Sequence, residues 1–102
     1  MNLRKYLKNT IESMVISMKI INISAVWCPA CLVMKKVWKE INNEIKDIDI
    51  INYDYDIDED EVSKYNVGEK LPVVILLDDN NNEIRRIIGE KTKEDIKKFI
   101  GV

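Results

Sequence analysis

The sequence predicts an α/β fold with a central mixed sheet of about four strands flanked by helices. Runs of helical and strand period alternate along the chain, a pattern that implies parallel pairing between strands joined through a helix. Residues 73–77 and 84–88 are apolar runs on either side of an Asp/Asn-rich turn signal, the mark of an antiparallel hairpin. The chain has 102 residues, 46% of them hydrophobic and 33% charged, which suits one compact soluble domain over residues 1–102 with a single modest core.

Each element has its own signal. Leu3, Leu7, Ile11, Met14, Val15 and Met18 recur at spacings of three and four, so an amphipathic packing helix is predicted over residues 3–16, and residues 1–18 read as an N-terminal helix or extension. Residues 19–26 are rich in isoleucine with small residues between, which predicts a strand buried on both faces. Over residues 32–46, Met34, Val37, Trp38, Ile41 and Ile45 trace one apolar face, while Lys35, Lys36, Lys39, Glu40 and Glu44 turn to solvent. The first turn of this helix holds the two cysteines.

A second strand is predicted over residues 48–55, and a short acidic helix capped by Asp58 over residues 58–66. The uninterrupted apolar run 73–77 is a third strand, residues 84–88 a fourth, and Gly89 stops it. Thr92 can cap a last helix, with Asp95 at the acid position of a capping box and Ile96, Phe99 and Ile100 on its apolar side.

Composition excludes several functions. Sixteen basic and eighteen acidic residues leave a net charge of −2, too weak a field to favour nucleic acid or an anionic membrane. The basic start and the apolar stretch after it are broken by Glu12, Ser13, Ser17 and Lys19, so neither a signal sequence nor a membrane span is read, and a cytoplasmic protein is expected. Three glycines and two prolines leave no linker or low-complexity segment, and no internal repeat is visible.

The chain has two cysteines, Cys28 and Cys31, and no histidine. A closed zinc site needs four nitrogen or sulfur ligands, so zinc would require two chains or carboxylate ligands. A disulfide spanning two residues constrains the unfolded chain little, which argues against a purely structural bond. Redox chemistry is the reading these residues favour.

Trp27-Cys28-Pro29-Ala30-Cys31 falls where a buried strand passes into a helix. Unpaired N–H groups and the helix dipole at that end favour thiolate over thiol, which makes Cys28 the expected nucleophile. Cys31 follows one helical turn later on the same side, placed to attack a mixed disulfide formed at Cys28. Pro29 at an early helical position sacrifices no hydrogen bond and presets φ.

On these residues the sequence resembles the thioredoxin family from about Ile20 to Ile100. Leu71-Pro72-Val73 resembles the family's cis-proline loop, which lies beside the cysteines and offers backbone to the substrate. Lys64-Tyr65-Asn66-Val67 is similar to the stretch before that loop, and the hairpin, Gly89 and the Thr-capped helix resemble the carboxy-terminal half. The resemblance implies reduction of protein disulfides by Cys28 and Cys31, with Trp27, Pro29, Leu71 and Pro72 contacting substrate. It further implies a monomer without cofactor or metal beyond the redox-active Cys28–Cys31 disulfide, reduced by a flavin reductase of the thioredoxin-reductase type fed by NADPH.

Departures from the pattern are equally specific. The family's buried aspartate, which helps deprotonate the second cysteine, falls at Asn22, and its nearby lysine at Asn52. An amide takes no proton at physiological pH, which leaves Glu69 or a water as the substitute. Pro29-Ala30 stands where thioredoxin itself has Gly-Pro, a dipeptide that tunes redox potential, so the direction of reaction is open. Two other readings stay in view: a glutaredoxin-like, glutathione-linked enzyme, against which stands the lack of a Gly-Gly pair after the proline strand, and a non-catalytic binding module of the same fold.

Asp54, Asp56, Asp58, Glu59, Asp60 and Glu61 superficially suggest a calcium loop. Counted from Asp54, the glycine and glutamate such a loop needs at its sixth and twelfth places are Glu59 and Tyr65, so a solvated strand end and helix start is expected. Trp38 is assigned to the core, and Tyr6, Tyr53, Tyr55 and Tyr65 to structure alone.

Overall fold

Burial on both faces demands apolar side chains at successive positions, and the two strands that meet this demand lie at the middle of the sheet. In the computed structural model, which describes residues 18–101, the elements are β1 (Met18–Ser24), α1 (Pro29–Glu44), β2 (Ile48–Asp54), α2 (Glu59–Val62), a 3₁₀ turn (Ser63–Tyr65), β3 (Val73–Leu77), β4 (Glu83–Ile88) and α3 (Lys93–Ile100). The sheet runs β2-β1-β3-β4. β1 is parallel to β2 and antiparallel to β3, which is antiparallel to β4, so the sheet is mixed and four-stranded, as expected. The helix expected over residues 3–16 lies outside the described residues.

Period-two alternation assigns the core to two layers. Ile21, Ile23, Val73, Ile75 and Leu77 face one way and pack with Val62 of α2, Leu71 and both cysteines. Ile20, Val74 and Leu76 face the other way, onto Met34, Trp38 and Ile41 of α1 and Ile96, Phe99 and Ile100 of α3. Fully burying one such aliphatic side chain is worth roughly 1.5–3 kcal/mol, so these layers are the main source of stability. Trp38 is a core residue, as its helical spacing implies.

Helix ends explain where elements start. Thr92 Oγ1 accepts from the Asp95 N–H at 3.1 Å while Asp95 accepts from the Thr92 N–H at 3.2 Å, the reciprocal capping box expected of this pair. Lys93 and Lys97 of α3 bond Glu44 of α1, and these pairs hold the carboxylate below its ordinary range. The hairpin turns on Asp78, whose Oδ1 accepts from the N–H groups of Asn80 and Asn82 while Asn81 takes a left-handed φ of 65° that asparagine tolerates.

Several boundaries differ from the sequence reading. β1 ends at Ser24, because the chain turns after Ala25, whose carbonyl accepts the Cys28 N–H. α1 begins at Pro29 and stops at Glu44. The acidic helix is a single α-turn finished by a 3₁₀ turn, and Asp58, although at its cap position, makes no capping bond. Its carboxylate instead accepts from the Asp54 N–H at 2.8 Å, and Asp54 in turn accepts from the Asp56 and Ile57 N–H groups. These aspartates build a turn by bonding nearby backbone, beyond the solvated role read from the sequence.

Candidate functional site

The end of β1 delivers the chain to the start of α1 with Cys28 as the N-cap, its backbone extended at φ −95° and ψ 111°. Its sulfur accepts the Cys31 N–H at 3.2 Å, the role a serine oxygen plays at other helix starts. Pro29 occupies the first helical turn, where an N–H would have no partner. Charge on the Cys28 sulfur therefore meets a backbone donor and the positive end of α1.

The loop before β3 closes over the pair. The Cys28 thiol donates to the Leu71 carbonyl at 3.7 Å, and the Leu71–Pro72 peptide is cis. Pro72 is held in turn by its own carbonyl, which accepts from the Gly89 N–H at 2.8 Å, and Gly89 itself takes φ +95°, a conformation suited to glycine. Trp27, Cys28, Pro29, Cys31, Leu71 and Pro72, singled out by their sequence pattern, thus converge where β1, α1 and the β3 entry meet.

The two thiols are free and each is 5% exposed. Burial, reinforced by the hydrogen bond and charge of Cys28, pushes the Cys31 thiol from its ordinary 9.0 up to about 11. Burial thus favours the protonated form of the second cysteine.

Behind Cys31 lies a cavity of about 460 Å³ whose walls include Asn22, Ser24, Lys35, Trp38 and Asn52. The parallel register pairs Asn22 with Asn52, and the Asn22 amide donates to Asn52 Oδ1 at 2.9 Å. The two positions that the resemblance assigns to the family's aspartate and lysine are neighbours, and both carry neutral amides. Glu69, considered from the sequence as a substitute proton acceptor, is exposed in the loop before Leu71 and does not line this cavity.

Trp27 is 55% exposed beside the cysteines. Its indole N–H donates to Asp56 Oδ2 at 2.6 Å, and Tyr55 meets the ring edge-on with centroids 6.3 Å apart. From sequence alone Asp56 belongs to a solvated acidic run and Tyr55 to structure; the fold brings both to Trp27. The signal that finds them is the parallel register: Ser24 pairs with Asp54, so the residues just past β2 lie alongside those just past β1.

Among the described residues no three histidine, cysteine or acidic side chains are grouped to hold a metal ion. No helix among them is long and apolar enough to cross a membrane.

No curated protein matches the chain. Solved structures do. Thioredoxin-2 of the malaria parasite is 25% identical over 85% of this chain and 84% of its own, with a TM-score of 0.76. Thioredoxin NaTrxh from Nicotiana alata is 25% identical, covering 85% and 73% at TM-score 0.76, and mitochondrial thioredoxin 3 from Saccharomyces cerevisiae is 24% identical, covering 82% and 76% at 0.74. The sequence model of the family described as Thioredoxin matches residues 3–101, nearly the whole chain. A cysteine-capped helix beside a cis-proline loop, on this sheet order and with that match, places the chain in the thioredoxin family.

Proposed function

We propose that the chain is a thiol–disulfide oxidoreductase that reduces protein disulfides. The observation that carries this reading is the Cys28 sulfur, held at the N-cap of α1 by the Cys31 N–H and facing the Leu71 carbonyl. In the reaction, the Cys28 thiolate attacks one sulfur of a substrate disulfide and the other leaves as a thiolate. Cys31, once deprotonated, attacks Cys28, the Cys28–Cys31 bond forms, and the reduced substrate departs. Two electrons pass from the dithiol to the substrate.

Substrate recognition in this reading uses backbone pairing at Leu71 and Pro72 and apolar contact at Trp27 and Pro29. The only redox group required is the Cys28–Cys31 pair, with no metal, and a flavin reductase fed by NADPH would restore the dithiol. We place this activity in a monomer in the cytoplasm.

Insulin reduction with dithiothreitol as the electron source tests the reading. Cys28→Ser should reduce turnover to the uncatalysed background. Parental activity in that variant would refute it. Zinc co-purifying at one half equivalent per chain, with loss of a dimer on chelation, would favour a metal-bridged binding module instead.

A further inference from the structure

Two buried polar atoms at the cavity behind Cys31 are left over by the fold. Asn22 and Trp38 are each 7% exposed, and among the described residues Asn22 Oδ1 and Trp38 Nε1 have no hydrogen-bond partner. One is an acceptor and the other a donor, and both residues line the cavity that Cys31 shares. Water in the cavity can take the proton from the thiol, and at either orphaned atom it gains a partner, donating to the amide oxygen or accepting from the indole.

The charges facing Cys31 can be named. Lys35 and Lys39 of α1 line this cavity, and a second, smaller cavity touching Cys31 is lined by Lys35 and by Asp54 at the end of β2. Asp54 Oδ1 is engaged by the Asp56 and Ile57 N–H groups. Of the charged residues named, Lys35 alone borders both cavities, which it shares with Ser24 and Cys31. It lies four residues after Cys31, so it is the next residue along the same face of α1, and side chains on a helix lean toward its N-terminus, here toward the thiol.

We infer that Lys35 is a positioning residue for the resolving step: its ammonium stabilises the Cys31 thiolate while the proton leaves to water in the cavity that Asn22 and Trp38 line. The inference rests on the proposed disulfide exchange. In that step the Cys31 S–H bond breaks and its proton passes to the cavity water. The thiolate bonds to the Cys28 sulfur, the bond from Cys28 to the substrate sulfur breaks, and that sulfur leaves with the electron pair. The charge aiding the second thiol then comes from the helix, with neutral amides at the two strand positions. For an exposed ammonium acting through largely aqueous screening, one such charge changes the thiolate population roughly three- to tenfold.

Rapid mixing of the reduced protein with an aromatic disulfide that releases a coloured thiol separates the two attacks. The first release reports Cys28 and the second reports Cys31. Lys35→Met should slow only the second phase, by about three- to tenfold at low ionic strength between pH 6 and 9, and the deficit should shrink in 1 M salt. Lys35→Arg should restore the rate, and Lys36→Met, which removes a neighbouring charge that lines neither cavity, should leave it unchanged. A second phase in Lys35→Met equal to that of the parent, or a deficit that salt leaves intact, would overturn the inference. Absence of a first phase in the parent protein would instead overturn the proposed exchange itself.

Discussion

Replacing Asn22 by aspartate tests the demand that Cys31 places on its surroundings. With the Cys31 thiol pushed up to about 11, only about one molecule in ten thousand carries the thiolate at pH 7. Asn22→Asp puts a carboxylate on the wall of the cavity that Cys31 shares, within the same water-accessible space. General base catalysis contributes about 10²- to 10⁴-fold, and the low end applies to a cavity open enough to admit water, so the second phase of coloured-thiol release should quicken about a hundredfold. The gain comes with a loss of stability. A carboxyl at a position 7% exposed is desolvated, and full burial raises such groups by as much as ~3–5 units. Once the Asn52 side chain, which now accepts from Asn22, turns its amide N–H to the new carboxyl, a rise of about 2 is the reasonable figure, worth about 3 kcal/mol. Its sign is definite. The folded state holds the proton more tightly, so the variant should approach the parent near pH 4 and lose stability as pH rises toward about 6, with no further loss above it. Urea midpoints at pH 4 and pH 8 measure this. A second phase no faster than the parent's, in a variant that shows the predicted loss of stability, would refute the link between Asn22 and the Cys31 proton.

Further outcomes follow from the same geometry. In Cys28→Ser, ultraviolet absorbance of the thiolate should show Cys31 titrating above 9.0, because burial remains, but below about 11, because the hydrogen bond and charge of the Cys28 thiol are gone; a midpoint at or below 9.0 would show that burial is not the leading cause. Asp56→Ala removes the acceptor of the Trp27 indole at an exposed site, so it should raise KM for protein disulfides several-fold while shifting unfolding by less than about 1 kcal/mol. Thr92→Ala breaks the capping box of α3 and should cost about 1 kcal/mol, a fall in Tm of roughly 4–8 °C for a domain of this size, with insulin reduction unchanged below the transition. Ile75→Ala, at a fully buried position of β3, should cost roughly 2–5 kcal/mol in urea unfolding.

Much of this protein is legible in its residues because the relevant interactions are local. Consecutive apolar residues in β1 and β3 announce strands covered on both faces, and Thr92 with Asp95 three residues later announces a helix start. The Cys-Pro-Ala-Cys spacing places two sulfurs on one helical turn whatever the rest of the fold does. Tertiary structure decided what depends on distant segments meeting. Only the parallel pairing of β1 with β2 brings Asn22 against Asn52 and Asp56 onto the Trp27 indole, and no periodicity in either strand encodes a partner thirty residues away. Only packing of α1 on the sheet buries Cys31 enough to raise its thiol and opens the cavity that Asn22, Trp38 and Lys35 share with it. The setting of Cys28 could be read from sequence because a helix start is a short-range electrostatic object. The environment of Cys31 could not, because burial is a property of the assembled core.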